Sequence, residues 1–169
     1  MAKWYVLQVS AGQETAVRDA LHIMGIQAAV PQEKRLLRKN GGWTSRIYTL
    51  FPGYVFLSLE YSAENYYRVK AVPHVLRFLG FSGLSPSCLT HLEAEWLRLL
   101  SNGGEPLKPS RVEELPDGSV RIMEGVLQNF PVRSIHFDRR ARRARVGITL
   151  CGEPKILTLS MGSGKDMNF

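Results

Sequence analysis

Thiols are scarce in this chain: Cys88 and Cys151 are the only two in 169 residues, and neither has a neighbour in sequence. So sparse a set builds neither a zinc site nor the disulfide scaffold of a small secreted domain, and a reducing compartment is expected. The four histidines, His22, His74, His91 and His136, fall one to an element without metal-ligand spacing. No P-loop, G-x-G-x-x-G, G-x-S-x-G or paired-carboxylate pattern occurs. Gly162-Ser163-Gly164-Lys165 lacks the leading glycine of a phosphate loop and reads as a flexible tail. Enzymatic chemistry, a bound metal and a cofactor are therefore not expected. No apolar run approaches the ~20 residues that a membrane span needs. The start, Met1-Ala2-Lys3-Trp4, enters a strand pattern with no signal-peptide layout, so a cytoplasmic protein without a membrane partner is expected. Acid is the scarcer charge: 15 Asp and Glu stand against 22 Lys and Arg, a net +7 with a pI near 9.7. That excess favours an anionic partner, although basicity also simply keeps molecules apart in solution.

What is present is organised around Leu50-Phe51-Pro52-Gly53-Tyr54-Val55-Phe56-Leu57-Ser58-Leu59. Strand alternation from Tyr54 puts Tyr54, Phe56 and Ser58 on one face and Val55, Leu57 and Leu59 on the other. Both sets are largely apolar, so one face is expected under helices and the aromatic one under another part of the chain or a partner. Pro52-Gly53 sets the entry, through a fixed φ and then a residue free of Cβ clashes.

Around this strand the pattern predicts β from Lys3 to Val9, a helix from about Gln13 to Met24, and a short strand at Gln27–Val30. Residues 32–50 read as a hairpin turning at Asn40-Gly41-Gly42. A short helix capped by Ser62 and a strand at Val75–Leu79 follow. Ser85-Pro86 has the form of a cap and first turn for a helix carrying Leu89, Leu92, Trp96, Leu97 and Leu100 on one stripe. The Gly- and Pro-rich stretch after Leu100 reads as a linker. Beyond it come only short strands, at Ser119–Met123, Val132–Phe137, Arg143–Leu150 and Lys155–Leu159, as in a small barrel. The expected class is α+β: a domain over 1–104 with an antiparallel or mixed sheet and helices on one side, a linker over 105–115, and a β-barrel over 116–169.

Charge concentrates at Asp138-Arg139-Arg140-Ala141-Arg142-Arg143-Ala144-Arg145. From Arg133 to Arg145 there are six arginines and one aspartate. On the strand from Arg143, residues Ala144, Val146, Ile148 and Leu150 are expected inward, and Arg143 and Arg145 outward. Arginine without lysine suits bidentate phosphate contact and stacking on bases, so Arg133, Arg139, Arg140, Arg142, Arg143 and Arg145 are candidate RNA contacts. A solvated surface turn or an acidic protein partner would use the same residues. The hairpin adds Lys34, Arg35, Arg38, Lys39 and Arg46 against the single acid Glu33, either as a solubilising edge or as a rail for nucleic-acid backbone.

Trp4-Tyr5-Val6 with Gly12-Gln13-Glu14, then Phe51-Pro52-Gly53-Tyr54-Val55-Phe56, then Val72-Pro73-His74-Val75 with Phe78-Leu79-Gly80 resemble the NusG family of transcription elongation factors, in order, over most of residues 1–100. Val120-Arg121-Ile122, Glu124-Gly125 and Ile135-His136-Phe137-Asp138 are similar to its KOW module, an SH3-like barrel. The resemblance implies an NGN-like first domain whose open face, here Phe51, Tyr54, Phe56 and Gln8, binds the clamp helices of the largest RNA polymerase subunit. The Arg-rich turn and Glu124-Gly125-Val126-Leu127 resemble the LoaP-type paralogues. These imply a monomeric, operon-specific antiterminator whose barrel reads nascent RNA such as a leader hairpin, with DNA of the elongation complex nearby. The general factor, bridging polymerase to the ribosome or to Rho, is the alternative within the family. A stand-alone KOW-containing RNA-binding protein is the alternative outside it.

Overall fold

The computed structural model describes residues 1–164 and Asp166. The chain runs β1 (Lys3–Val9), α1 (Glu14–Ile23), β2 (Gln27–Ala29), β3 (Gln32–Lys39), β4 (Gly42–Thr49), β5 (Tyr54–Leu59), α2 (Ala63–Lys70), β6 (Val75–Phe78), β7 (Phe81–Ser82), β8 (Ser85–Pro86) and α3 (His91–Ser101). Then come β9 (Ser110–Glu114), β10 (Val120–Glu124), β11 (His136–Asp138), β12 (Arg143–Leu150) and β13 (Glu153–Gly162). Among the described residues no helix is long and apolar enough to cross a membrane. The residues fall into two compact units. The first takes Met1–Pro31, Phe51–Gly104 and Leu150–Glu153; the second takes Gln32–Leu50, Glu105–Thr149 and the chain from Pro154 on.

In the first unit the sheet order is β2-β5-β1-β6, and every neighbouring pair is antiparallel. Alternation in β1 and β5 sends Tyr5, Leu7, Val9, Val55, Leu57 and Leu59 into one core, closed by Val17 and Leu21 of α1 and Val69 of α2. The other face is not open. Trp96 of α3 packs on Phe51 and Phe56, so helices lie on both sides of the sheet rather than on one. α3 also begins later than its Ser85-Pro86 sequence implies. Those two residues pair with Phe81 and Ser82 in a small hairpin, and Thr90 caps the helix in a reciprocal box with Glu93. Glu93 is buried where Leu92, expected on the apolar stripe, is 72% exposed. Its second oxygen accepts the Gly152 amide at 3.2 Å, which draws the carboxylate inward.

In the second unit five strands form a mixed sheet, β10-β9-β13-β12-β11, with β9 and β13 parallel. β9 lies within the stretch expected to be linker. Close packing makes Gly125 obligatory beside it: a Cβ there would sit 2.6 Å from the Ser110 Cα, at a backbone φ of +108°. Residues 132–134 form a 3-10 turn, so the expected strand at Val132–Phe137 shortens to β11. The hairpin β3–β4 turns at Asn40-Gly41, both at positive φ. It belongs with this unit, not with the domain expected over 1–104. The Lys34 amide donates to the Leu107 carbonyl at 2.7 Å, and the Leu107 amide donates to Gln32 at 2.8 Å. Glu33, 2% exposed, accepts the Ser160 amide at 2.7 Å, and the Ser160 hydroxyl accepts the Leu36 amide at 3.3 Å. Those bonds satisfy backbone groups that a free edge strand would leave to solvent.

Candidate functional site

The turn into β5 is built by one carboxylate. Glu14, at the start of α1, accepts the Gly12 amide at 3.1 Å and the Gly53 amide at 2.9 Å. Burial raises the Glu14 carboxyl, but these amides outweigh it and hold the group below its ordinary value. Gly53, at φ +84°, returns its carbonyl to the Val9 amide at 2.8 Å. The two sequence motifs Gly12-Gln13-Glu14 and Pro52-Gly53 are thus halves of one hydrogen-bonded joint.

Of the four residues expected on an open aromatic face, two are inside. Phe56 is fully buried and Phe51 is 7% exposed. Their rings meet edge-on at 5.4 Å, and Trp96 lies 5.6 Å from Phe51 and 6.0 Å from Phe56. Strand alternation shows that a face is apolar without showing what covers it, and here α3 covers it. Tyr54 and Gln8 remain half-buried and face each other in register. Gln8 also pairs with Arg77 of β6, whose Nε donates to its side-chain oxygen at 2.7 Å. Tyr54, Gln8 and Arg77 therefore form a row across β5, β1 and β6 that presents an aromatic ring, an amide and a cation.

The arginines of the second unit divide into two groups. Arg139 is tied to the Glu114 carboxylate and donates to the Gly118 carbonyl at 2.6 Å. Arg142, at φ +59°, donates to both oxygens of Asp166 at 2.7 and 3.4 Å, and its guanidinium lies 5.1 Å from the centre of the Trp43 ring. The Asp166 carboxyl feels burial upward, but the Ser163 amide and Arg142 bring it below its usual value. These bonds also hold Ser163, placed in a flexible tail by its sequence; Lys165 lies outside the described residues. Arg143 does not project freely. It is half-buried, and its Nη1 donates to the Leu36 carbonyl at 3.1 Å. Burial and Arg35 lower its pKa against the pull of Glu33. By contrast, Arg133, Arg140 and Arg145 are exposed, and their side chains have no hydrogen-bond or ion-pair partner among the described residues.

The hairpin shows the same division. Arg35 binds Glu33 at 2.7 Å and covers the Tyr48 ring, and Arg38 covers Trp43 at 5.4 Å. Lys34 and Lys39 make no side-chain bond among the described residues, and Lys39 lies exposed next to the turn. Trp43, whose ring meets the guanidinium groups of both Arg38 and Arg142, and Asp166 were not legible as site residues. Turn arithmetic does place Trp43 opposite Arg38 across Asn40-Gly41, a local signal for half of that stack. Charge separates by unit as well. The second unit has sixteen Lys and Arg against eight Asp and Glu, the first six against seven. The entire positive excess lies on the second unit, where unpaired guanidinium and ammonium groups can neutralise phosphates or carboxylates. Among the described residues no His, Cys, Asp or Glu group is arranged to hold a metal.

The chain is α+β, with a helix-covered antiparallel sheet in the first unit and all the excess positive charge on the second. A family model described as transcription termination factor nusG matches residues 2–98. The transcription termination/antitermination protein NusG of Neisseria meningitidis is 30% identical over 178 residues, spanning 98% of both chains. That of Campylobacter jejuni is 31% identical over 160 residues, spanning 89% of both. A solved structure described as showing a domain interaction in Thermotoga maritima NusG superposes with a TM-score of 0.55 at 22% identity, over 95% of this chain and 94% of that one. The chain belongs to the NusG family, whose members are transcription factors rather than enzymes.

Proposed function

We infer that this protein is a transcription elongation factor that rides on RNA polymerase through its first unit and holds nascent RNA with its second, favouring read-through of terminators. The observation that carries the reading is the division of charge: a nearly neutral first unit and a second with twice as many cations as anions. The polymerase contact falls on Tyr54 and Gln8, with Arg77 beside them, while Phe51, Phe56 and Trp96 form the support beneath. RNA phosphates meet Arg133, Arg140 and Arg145, with Lys34 and Lys39 of the hairpin as an extension toward RNA or DNA. Arg139, Arg142 and Arg143, and the hairpin's Arg35 and Arg38, shape that surface instead. An operon-specific antiterminator of the LoaP type fits the arginine density. A general factor is favoured by a different observation: the similar relatives over nearly the full length are NusG proteins named for termination and antitermination alike.

One binding experiment on reconstituted elongation complexes tests both contacts. Tyr54→Ala should weaken binding about tenfold at every salt concentration, as loss of an interface aromatic does. Replacing Arg133, Arg140 and Arg145 should flatten the log–log salt dependence by roughly 0.7 per lost contact on single-stranded RNA. An unchanged slope in the triple variant removes the RNA role, and unchanged affinity in Tyr54→Ala removes the polymerase face.

A further inference from the structure

Strand β4 carries the longest open sheet edge among the described residues. It runs for eight residues, whereas β2, β6, β10 and β11, the edges of the two larger sheets, have three to five. The two-residue Asn40-Gly41 loop makes Lys39 and Gly42 a pair that exchanges hydrogen bonds, and every second pair beyond it does the same. On β3 the intervening residues point outward, where the Lys34 and Leu36 amides are taken by Leu107 and Ser160. On β4 the corresponding residues are Trp43, Ser45 and Ile47, and their backbone groups have no hydrogen-bond partner among the described residues. Neither a proline nor a bulge guards this edge, and its one charge is Arg46. Arg46 is exposed and lies directly opposite Arg35 in register. Arg35 is held by Glu33, whereas the Arg46 side chain has no bond among the described residues. Like charges so opposed repel. Ile47, on the same face as Trp43, is 57% exposed.

We propose that β4 accepts an acidic, extended segment of a partner protein as an added antiparallel strand. This contact goes beyond both contacts described above. The backbone groups of Trp43, Ser45 and Ile47 pair with the incoming main chain, and strand addition of this kind needs no preformed pocket. Alternation dictates the pattern of the segment. Its residues opposite Trp43 and Ile47 are apolar, and those between, beside Arg46, are acidic. Charge selects the occupant. Residues 34–49 hold five cations and no Asp or Glu, so two copies of this hairpin would repel edge to edge. An acidic segment instead supplies a counter-charge to Arg46. Single-stranded RNA could supply charge, but it carries no amide and carbonyl groups alternating at the spacing of a strand.

The test uses the full chain and a capped heptapeptide alternating four Glu with three Val, with its Lys-for-Glu analogue as control. Amide hydrogen exchange at Trp43, Ser45 and Ile47 should slow with the acidic peptide and not with the lysine one. Exchange at Thr44, whose amide already faces β3, should not change. Ser45→Pro removes one outward donor at a position where an edge strand tolerates proline. It should weaken the acidic peptide about tenfold while Thr44 stays protected. Methylating the three Val amides of the peptide makes the same test on the wild-type chain and should also cost about tenfold. Arg46→Glu should shift the preference to the lysine peptide. Absent binding, binding without slowed exchange, binding indifferent to the methyl groups, or equal binding of the lysine peptide overturns the proposal. An oligouridylate that protects the same amides also overturns it, by making the edge a nucleic-acid contact. Self-association of the free chain that protects them does so too, by making the occupant a second copy.

Discussion

Glu14 and Glu33 are both buried carboxylates, and their surroundings push them in opposite directions. Glu14 lies below its ordinary value because the Gly53 and Gly12 amides outweigh burial. Its contribution to stability is present at neutral pH and is lost as pH falls through its depressed folded value. Glu33 is raised, because burial outweighs the Ser160 amide and the Arg35 ion pair. The folded state holds that proton more tightly than the unfolded one. Stability therefore falls as pH rises from the ordinary carboxyl value of 4.5 through the raised folded value. Denaturant melts of the wild type, Glu14→Gln and Glu33→Gln across that range should show it. Glu14→Gln should flatten the acid-side loss, Glu33→Gln should flatten the decline toward neutrality, and identical pH profiles in all three would refute the assignment. At pH 7, Glu14→Ala should cost about 2–3 kcal/mol, the scale of a hydrogen bond to a charged group with its donors left unpaired.

At the scale of elements, α3 decides what the central strand can do. Its stripe, read from spacing, shows that one side of the helix is apolar. The contact of Trp96 with Phe51 and Phe56 shows that this side closes the aromatic face of the sheet. Phe56 is consequently a core residue. Phe56→Ala and Trp96→Ala should each cost about 3–5 kcal/mol in chemical denaturation, as truncation of a packed aromatic does. Tyr54→Ala, at a half-buried position, should cost far less. A Phe56→Ala protein as stable as the wild type would mean that α3 does not seal this face. The Arg139–Arg142 turn behaves similarly. Two of its guanidinium groups are spent on Glu114 and Asp166, so its geometry is set by intramolecular bonds and its free charge is carried by Arg140.

Over the whole molecule the chain order and the packing order differ. The hairpin of residues 32–50 interrupts the first unit in sequence, yet its outer edge is bonded to Leu107 and Ser160 of the second. A fragment of residues 1–104 lacks those partners. Hydrogen exchange should find the Lys34 and Leu36 amides protected in the full chain and rapidly exchanging in the fragment. Val6 and Leu57, inside the four-stranded sheet, should stay protected in both. Slow exchange of Lys34 and Leu36 in the fragment would show that the hairpin is stable without the second unit. The same partition leaves the first unit almost neutral and the second strongly basic, so salt should act on ligands of the second unit far more than on those of the first.

Local chemistry in the sequence determined the alternating strands β1, β5 and β12, the Ser62 cap, the Asn40-Gly41 turn and the clustering of arginine, because each depends on neighbours a few residues away. The family resemblance was legible too, in the Phe51-Pro52-Gly53-Tyr54-Val55-Phe56 stretch and the segments around it. Tertiary structure alone decided that Phe51 and Phe56 are buried, that the hairpin belongs with the second unit, and that the side chains of Arg139, Arg142 and Arg143 are occupied while those of Arg133, Arg140 and Arg145 have no partner among the described residues. The reason is physical. Periodicity reveals which face of an element is apolar, and composition reveals which side chains are charged. The cover on a face and the partner of a charge are supplied by residues far away in sequence: Trp96 lies 40 positions after Phe56, and Asp166 lies 24 after Arg142.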